Sequence, residues 1–324
     1  MKIAFVFPGQ GSQVVGMLDS FSGNASVASI QSTADIALGE SLSSLIAKGP
    51  AEKLGLTVNT QPAMLVAGYA CFRAWLDAGG PEPALVAGHS LGEYTALTAA
   101  GSLQLADAVR LVRLRAQAMQ EAVPVGSGGM AAILGLDDAV VAEACRQAVA
   151  IGAEASNNWV VEPVNFNAPS QVVIAGHAAA VEQACVQAKA LGAKRALPLS
   201  VSAPFHSSLL KPAGERLRLA LQSVSMEIPR FPLVNNIDAM VQTDPVMIKD
   251  ALVRQAYGPV QWVKVVQQMV AMGVTRLIEF GPGKVLTGLA SRIDKSIQAS
   301  AVFDEASLSA VLAQVRAELK AASE

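Results

Sequence analysis

The segment around Ser90 places the strongest constraint on the fold of this chain. Residues 84–94 run from a short apolar stretch through Gly-His-Ser-Leu-Gly into a helix of small residues. Glycines on both sides of a serine permit the sharp turn that exposes its hydroxyl beyond a buried strand. The helix behind the turn directs free N–H groups toward a forming oxyanion. The pattern predicts Ser90 as a nucleophile that forms an acyl-enzyme; a plain turn serine is the competing interpretation.

The composition is typical of a compact α/β protein. Of 324 residues, 52% are hydrophobic and 15% are charged, and the net charge is −2. This charge gives no basic field for nucleic acid. We expect no signal peptide or transmembrane helix, because the apolar runs are too short. The three cysteines are widely spaced, which suits a reducing compartment and offers no metal-binding pattern. We therefore expect a cytoplasmic protein without metal, membrane or nucleic-acid partners, and we further expect it to be a monomer.

Strand-like and helical segments alternate along most of the chain, which indicates a mostly parallel sheet covered on both faces. The clearest helix is predicted over residues 61–77, with Pro62 at its first position. The predicted strands of this sheet are residues 3–7, 85–88, 231–234, 275–280 and 299–303.

The middle of the chain breaks this alternation. After a glycine-rich hinge at residues 124–129, the order becomes β-α-β-β-α-β, a split βαβ pattern. We predict a large α/β domain formed by residues 1–126 and 204–324, with a smaller inserted subdomain over residues 127–203. A cleft between two such parts is a preferred ligand site.

A serine nucleophile needs a base, and the chain contains three histidines. His89 lies inside the turn and should point away from the face of the serine. His177 follows a strand of the insert and is typical of a turn or cap residue. His206 lies where the chain returns to the large domain, at the cleft, so we predict it as the base. No acidic residue stands out at a strand end before it, so a neutral acceptor is expected to orient it.

Arg115 lies on the apolar stripe of the helix predicted over residues 104–121, with Leu111, Val112 and Met119 as its neighbours. A buried arginine needs a partner, because an unpaired buried charge is costly. The partner is either an acid within the chain or the carboxylate of a substrate, which a guanidinium binds with two hydrogen bonds. Spacing alone leaves both open.

Two glycine-containing loops invite a nucleotide interpretation, which their residues exclude. Gln10 lies between glycines after the first strand, where it either approaches a ligand or forms a plain surface turn. A dinucleotide fingerprint would need a third glycine where Val14 stands. In the second loop, residues 281–284, Val285 stands where a phosphate loop needs serine or threonine.

Seven segments together make the chain resemble the malonyl-CoA:acyl-carrier-protein transacylases. They are residues 7–13, 88–93, 119–124, 164–167, 234–236, 252–255 and 280–286. The resemblance implies an α/β-hydrolase-like large domain with a parallel sheet and a ferredoxin-like βαββαβ insert. It also implies a ping-pong reaction without a cofactor, in which malonyl-CoA loads the serine and the phosphopantetheine thiol of acyl carrier protein removes the malonyl group.

The resemblance also implies a role for each matching residue. These are Ser90 as the acylated nucleophile, His206 as its base, Arg115 as the malonyl carboxylate ligand, the N–H groups of Gln10 and Leu91 as the oxyanion hole, and Gln255 as the residue whose main-chain carbonyl orients the histidine.

Two positions depart from the common pattern of this family. Ala116 replaces a glycine, with little expected effect, and Phe205 replaces a serine before the histidine. A rigid ring beside the base would crowd an α-methyl group, so we predict selectivity for malonyl over methylmalonyl. The pathway stays open between fatty-acid synthesis and polyketide supply. The residues are also compatible with a serine esterase or thioesterase, and with a non-catalytic docking partner of the carrier.

Overall fold

The computed structural model describes residues 1–201 and 203–321. Ser202, at the end of the predicted insert, and residues 322–324, at the end of the predicted large domain, lie outside the described residues. Within the described ranges, no helix combines the length and the apolar character needed to cross a bilayer.

The larger sheet has six strands in the order β10-β9-β1-β2-β7-β8. Its pairs are parallel except for the edge pair β7–β8, which is antiparallel. The strands are β1 (Ile3–Phe7), β2 (Leu85–Gly88), β7 (Leu233–Val234), β8 (Val241–Gln242), β9 (Arg276–Phe280) and β10 (Gln298–Val302).

Helices cover both faces of this sheet, as its apolar central strands require. Every residue of β1 is buried, and its side chains alternate between two cores. Phe5 and Phe7 enter one core with Phe280, whereas Ala4 and Val6 enter the other. The helices around this sheet are α1 (Ala25–Leu38), α2 (Leu42–Lys48), α3 (Ala51–Gly55), α4 (Thr57–Asp77), α5 (Gly92–Ala99), α6 (Leu105–Glu121), α9 (Lys211–Gln222), α10 (Pro245–Ala256), α11 (Trp262–Ala271), α12 (Val285–Ile293) and α13 (Glu305–Ala321).

The start of α4 differs from its sequence prediction. The helix begins at Thr57, so Pro62 lies inside it rather than at its first position. Side chains of the first turn anchor the helix to the end of α3, since Thr60 Oγ1 donates to the Leu54 carbonyl over 2.7 Å and Asn59 Nδ2 to the Lys53 carbonyl over 2.8 Å. These contacts offset the hydrogen bond that proline cannot make.

The middle of the chain folds in the predicted β-α-β-β-α-β order, as a four-stranded antiparallel sheet ordered β4-β5-β3-β6. Two helices pack on one face of this sheet and bury a separate core. The last strand ends at Pro198. The elements are β3 (Gly128–Leu134), α7 (Asp138–Glu154), β4 (Val161–Ala168), β5 (Gln171–His177), α8 (Ala178–Ala190) and β6 (Arg195–Pro198).

Strand β4 joins the small sheet to loops at the edge of the large one. Val260, which precedes α11, exchanges main-chain hydrogen bonds with Val164 and Phe166, at 2.8 and 3.0 Å. Asn167 Oδ1 lies 2.8 Å from His89 Nε2, at the turn after β2. The small sheet therefore stands beside the end of β2. The mixed α/β class with an insert is confirmed, and the exact domain boundaries stay a prediction.

Candidate active site

Ser90 lies in a strained turn between the end of β2 and the start of α5. Its φ angle is +52°, a value that non-glycine residues rarely adopt. The flanking glycines are required by space: a Cβ on Gly88 would lie 1.9 Å from the carbonyl of Gly92. A Cβ on Gly92 would lie 1.9 Å from the carbonyl oxygen of Phe7. This is the geometry that the Gly-x-Ser-x-Gly pattern predicts.

His206 contacts the serine through one ring nitrogen and a main-chain carbonyl through the other. Its Nδ1 lies 2.8 Å from the carbonyl oxygen of Gln255, which can only accept a hydrogen bond. The Nδ1 atom therefore holds the proton, and Nε2 is left to accept. Nε2 lies 2.7 Å from Ser90 Oγ, so the hydroxyl donates to it. The arrangement can remove the serine proton during attack on a carbonyl.

The surroundings keep His206 uncharged. Burial, and after it the positive charge of Arg115, lower the pKa of His206 to about 3. The imidazole is therefore neutral at physiological pH and able to accept a proton. A carboxylate bound at Arg115 would offset the nearby positive charge and make the histidine more basic.

The side chain of Arg115 extends from α6 toward Ser90, and the residue Arg115 is 2% exposed. Its Nη1 donates to Gln61 Oε1 and its Nη2 to Gln255 Oε1, both over 2.9 Å. Nη2 also lies 3.3 Å from Ser90 Oγ, and the guanidinium carbon lies 5.4 Å from the ring centroid of Tyr94. None of the ion pairs formed between described residues includes Arg115. Amide oxygens hold the guanidinium, which forms no ion pair, although the buried Glu93 attracts it electrostatically from beyond Gln255.

The loop after β1 packs directly against the serine turn. A Cβ on Gly9 would lie 2.9 Å from the carbonyl oxygen of His89 and 3.8 Å from the Cβ of Ser90. Gln10 follows in this loop and lines the same cavity as Ser90. Leu91 precedes the first turn of α5, where N–H groups have no intrahelical acceptor. The two residues with predicted oxyanion roles therefore flank the nucleophile.

A cavity of about 710 Å³ opens above Ser90 between the two sheets. Phe205 lies in its wall beside His206 and is 7% exposed. The insert contributes the opposite wall through Met130, Asn165 and residues 199–201. Among the described side chains, no group of three or more His, Cys, Asp or Glu is arranged to hold a metal ion.

The other two histidines lie where the sequence placed them. His89 Nε2 faces Asn167, and its ring packs 5.5 Å from that of Trp262. His177 ends β5, and its Nδ1 accepts from the main-chain N–H of Val160 over 3.0 Å. Neither ring contacts Ser90 Oγ.

Sequence reasoning missed three polar side chains that complete the site. Gln61 holds Arg115, as described above. Asn236 Oδ1 accepts from the main-chain N–H of Ser90 over 2.6 Å, and its Nδ2 donates to the Gly88 carbonyl over 2.5 Å. Glu93, in the first turn of α5, has no exposed surface. Glu93 and Asn236 lie in segments that carry the family resemblance, whereas nothing in the local pattern singles out Gln61.

The chain matches a protein family and known relatives over nearly its whole length. The family model described as acyl transferase domain matches residues 4–320. Malonyl CoA-acyl carrier protein transacylase of Salmonella typhimurium is 54% identical over 97% of this chain and 99% of its own. The Bacillus subtilis protein of the same name is 46% identical, over 94% of each chain.

Solved structures give the same result. The acyl-carrier-protein S-malonyltransferase of Burkholderia pseudomallei superimposes with a TM-score of 0.92 at 60% identity, over 96% of this chain and 99% of the other. A malonyl-transacylase solved in complex with its type II PKS acyl-carrier protein gives a TM-score of 0.93 at 46% identity, over 97% of this chain and 100% of the other.

Proposed function

The chain belongs to the acyl transferase domain family, and we propose that it transfers malonyl groups from malonyl-CoA to the phosphopantetheine thiol of an acyl carrier protein. The observation that carries this proposal is the buried guanidinium of Arg115, 3.3 Å from the hydroxyl oxygen of Ser90. A substrate with an acidic group at one end and a thioester at the other matches this pair of groups.

The first half-reaction loads the serine. Ser90 Oγ attacks the thioester carbonyl carbon of malonyl-CoA while His206 Nε2 takes the hydroxyl proton. The main-chain N–H groups of Gln10 and Leu91 stabilise the tetrahedral oxyanion. When the C–S bond breaks, His206 returns the proton to the sulfur, CoA leaves as a thiol, and malonyl-Ser90 remains.

The second half-reaction repeats the same steps with another thiol. His206 removes the proton from the phosphopantetheine thiol of the carrier protein, and the sulfur attacks the malonyl-Ser90 ester. Collapse of the intermediate breaks the C–O bond, and the histidine protonates Ser90 Oγ. The carbonyl of Gln255 holds the ring in one tautomer throughout both half-reactions.

Arg115 selects the acyl group in this proposal. Its guanidinium binds the free carboxylate of the malonyl group and so fixes the thioester carbonyl against Ser90. Both half-reactions are acyl transfers between oxygen and sulfur, so we propose that they need no metal or redox cofactor. We further expect a cytoplasmic monomer without nucleic-acid or membrane partners.

A second candidate function uses the same chemistry in polyketide synthesis. It is favoured by the similarity to the malonyl-transacylase solved with its type II PKS acyl-carrier protein. Malonyl transfer rates measured with carrier proteins from both pathways would separate the two. A serine esterase or thioesterase is disfavoured, because a neutral acyl chain would leave the charge of Arg115 without a partner.

Intact-protein mass spectrometry after incubation with malonyl-CoA tests the proposal. We expect one stable malonyl adduct, which holo carrier protein removes, and no adduct on Ser90→Ala. Free malonate released without an accumulating adduct would indicate a hydrolase. Normal carrier binding without any thioester exchange would indicate a docking protein.

A further inference from the structure

Glu93 is a wholly buried carboxyl group beside the nucleophile that the proposed mechanism does not use, and burial raises its pKa to about 7. It lies three residues after Ser90, in the first turn of α5. Its Oε2 accepts two hydrogen bonds, from Gln255 Nε2 over 2.9 Å and from the main-chain N–H of Asn236 over 3.1 Å. Its Oε1 has no hydrogen-bond partner within the described part of the chain. One oxygen of Glu93 thus serves both neighbours.

Both neighbours hold the main chain of the nucleophile. Gln255 Nε2 donates to the Ser90 carbonyl over 2.9 Å. Asn236 Oδ1 accepts from the Ser90 N–H over 2.6 Å. These two bonds grip the residue whose φ angle is strained at +52°, and strain persists only where the surroundings enforce it.

Gln255 also orients the other two groups of the site. Its side-chain Oε1 accepts from Arg115 over 2.9 Å, and its main-chain carbonyl accepts from His206 over 2.8 Å. A primary amide has a donor end and an acceptor end, and a carboxylate oxygen can only accept. Glu93 therefore fixes the Gln255 amide with Nε2 toward itself and Oε1 toward the guanidinium.

We propose that Glu93 is a positioning residue that uses one carboxylate oxygen to set Gln255 and Asn236, and through them Ser90, His206 and Arg115. The chemical identity of the site rests on the proposed function, but the positioning role concerns both malonyl and acetyl transfer. Because a single acceptor oxygen does the work, a glutamine at this position supplies an equivalent atom. An aspartate keeps the carboxyl group and withdraws the oxygen by one carbon–carbon bond, about 1.5 Å.

The experiment compares Glu93→Gln with Glu93→Asp in kcat and KM for malonyl-CoA and acetyl-CoA. We expect the kcat of E93Q to stay within about threefold of the wild type. The kcat of E93D should fall about thirtyfold with both substrates. Labelling of Ser90 by an uncharged fluorophosphonate should slow in the same order, about thirtyfold in E93D. If E93D does not fold, Glu93→Met, which has similar length and no oxygen, should show the same loss.

The matched control is Glu279→Asp. Glu279 is equally buried and caps the start of α12 through the N–H of Thr287 at 2.8 Å, outside the network around Ser90. We expect a lower melting temperature for E279D, with kcat and labelling per folded molecule within twofold of the wild type.

The proposal would be overturned if E93Q lost as much kcat as E93D, because charge would then be the cause. It would also be overturned if kcat of E93D stayed within threefold of the wild type, or if E93D and E279D lost kcat equally. A wild-type protein that forms no malonyl adduct would instead refute the proposed function. The fluorophosphonate rates would still report on Glu93 in that case, so the two failures are distinguishable.

Discussion

The two sheets of this molecule differ in what they contribute to the cavity above Ser90. In the larger sheet, β1, β2 and β9 are buried on both faces. Helices α7 and α8 cover one face of the smaller sheet. Residues of this sheet, and residues just beyond β6, line the cavity. The nucleophile, its base and the guanidinium all come from the larger part, whereas the described residues of the smaller part supply a wall without a charged side chain.

The difference indicates a division of labour. A turn that follows a parallel strand with helices on both faces is held from all sides. This suits catalytic groups, whose positions must be kept to within a few tenths of an ångström. The second face of the smaller sheet packs Val173 and Ala175 into the main core, but its cavity-lining residues carry no reacting group and can change without moving one. We therefore expect substitutions in the larger part to change the chemical step, and substitutions in the smaller part to change binding alone.

Replacement of His206 by alanine should give the largest loss. Removal of the base should slow acylation of Ser90 about a thousandfold, measured by rapid-quench mass spectrometry. His177→Ala, in the insert, is the control and should retain the wild-type rate. Because the pKa of His206 is lowered to about 3, the wild-type kcat/KM should not fall from pH 7 to pH 5 through protonation of this base. A drop centred near pH 6.5 would contradict this.

Arg115→Ala should reduce kcat/KM for malonyl-CoA about a hundredfold and leave acetyl-CoA unchanged or improved, because only malonyl has a free carboxylate. Arg113→Ala is the control, since Arg113 lies on the same helix and pairs with Glu40. Equal losses with both acyl groups would mean that Arg115 is structural.

Phe205→Ala should raise kcat/KM for methylmalonyl-CoA, relative to malonyl-CoA, about tenfold, because the ring no longer crowds the α-methyl group. Phe231 is equally buried and does not line the cavity, so Phe231→Ala should leave the ratio unchanged. A wild type that already accepts both substrates equally would refute the steric argument.

Leu199→Ala, in the insert wall, should have the smallest effect. Loss of a partly exposed apolar contact should raise KM for malonyl-CoA about threefold with kcat unchanged. Leu197 is similarly exposed but outside the cavity wall, and its alanine variant should match the wild type. A fall in kcat for Leu199→Ala would break the division between the two sheets.

The sequence predicted the parts of the site that have a local pattern. Glycine spacing indicated the turn at Ser90, and elimination among three histidines led to His206. The apolar stripe of α6 showed that Arg115 is buried, although not which of its two possible partners it has. The order of strands and helices predicted the insert.

The remaining features depend on contacts between distant residues. The start of α4 was wrong because Asn59 and Thr60 bind the preceding helix, which a rule for proline position does not include. The role of the main-chain carbonyl of Gln255 cannot be predicted from residue type, because every residue has a main-chain carbonyl. The side-chain amide of Gln61 contacts Arg115 only because α4 packs against α6.

The tight fit of Gly88 and Gly92 limits how this enzyme can diversify. A Cβ on either glycine would lie 1.9 Å from main-chain atoms, so any side chain there would displace the strand, the helix or the neighbouring loop at once. Mutations that change acyl preference must therefore lie outside this turn, at other positions around the cavity. In a random library of this gene, active clones should vary most at the cavity positions that the insert contributes and should hold glycine at both places.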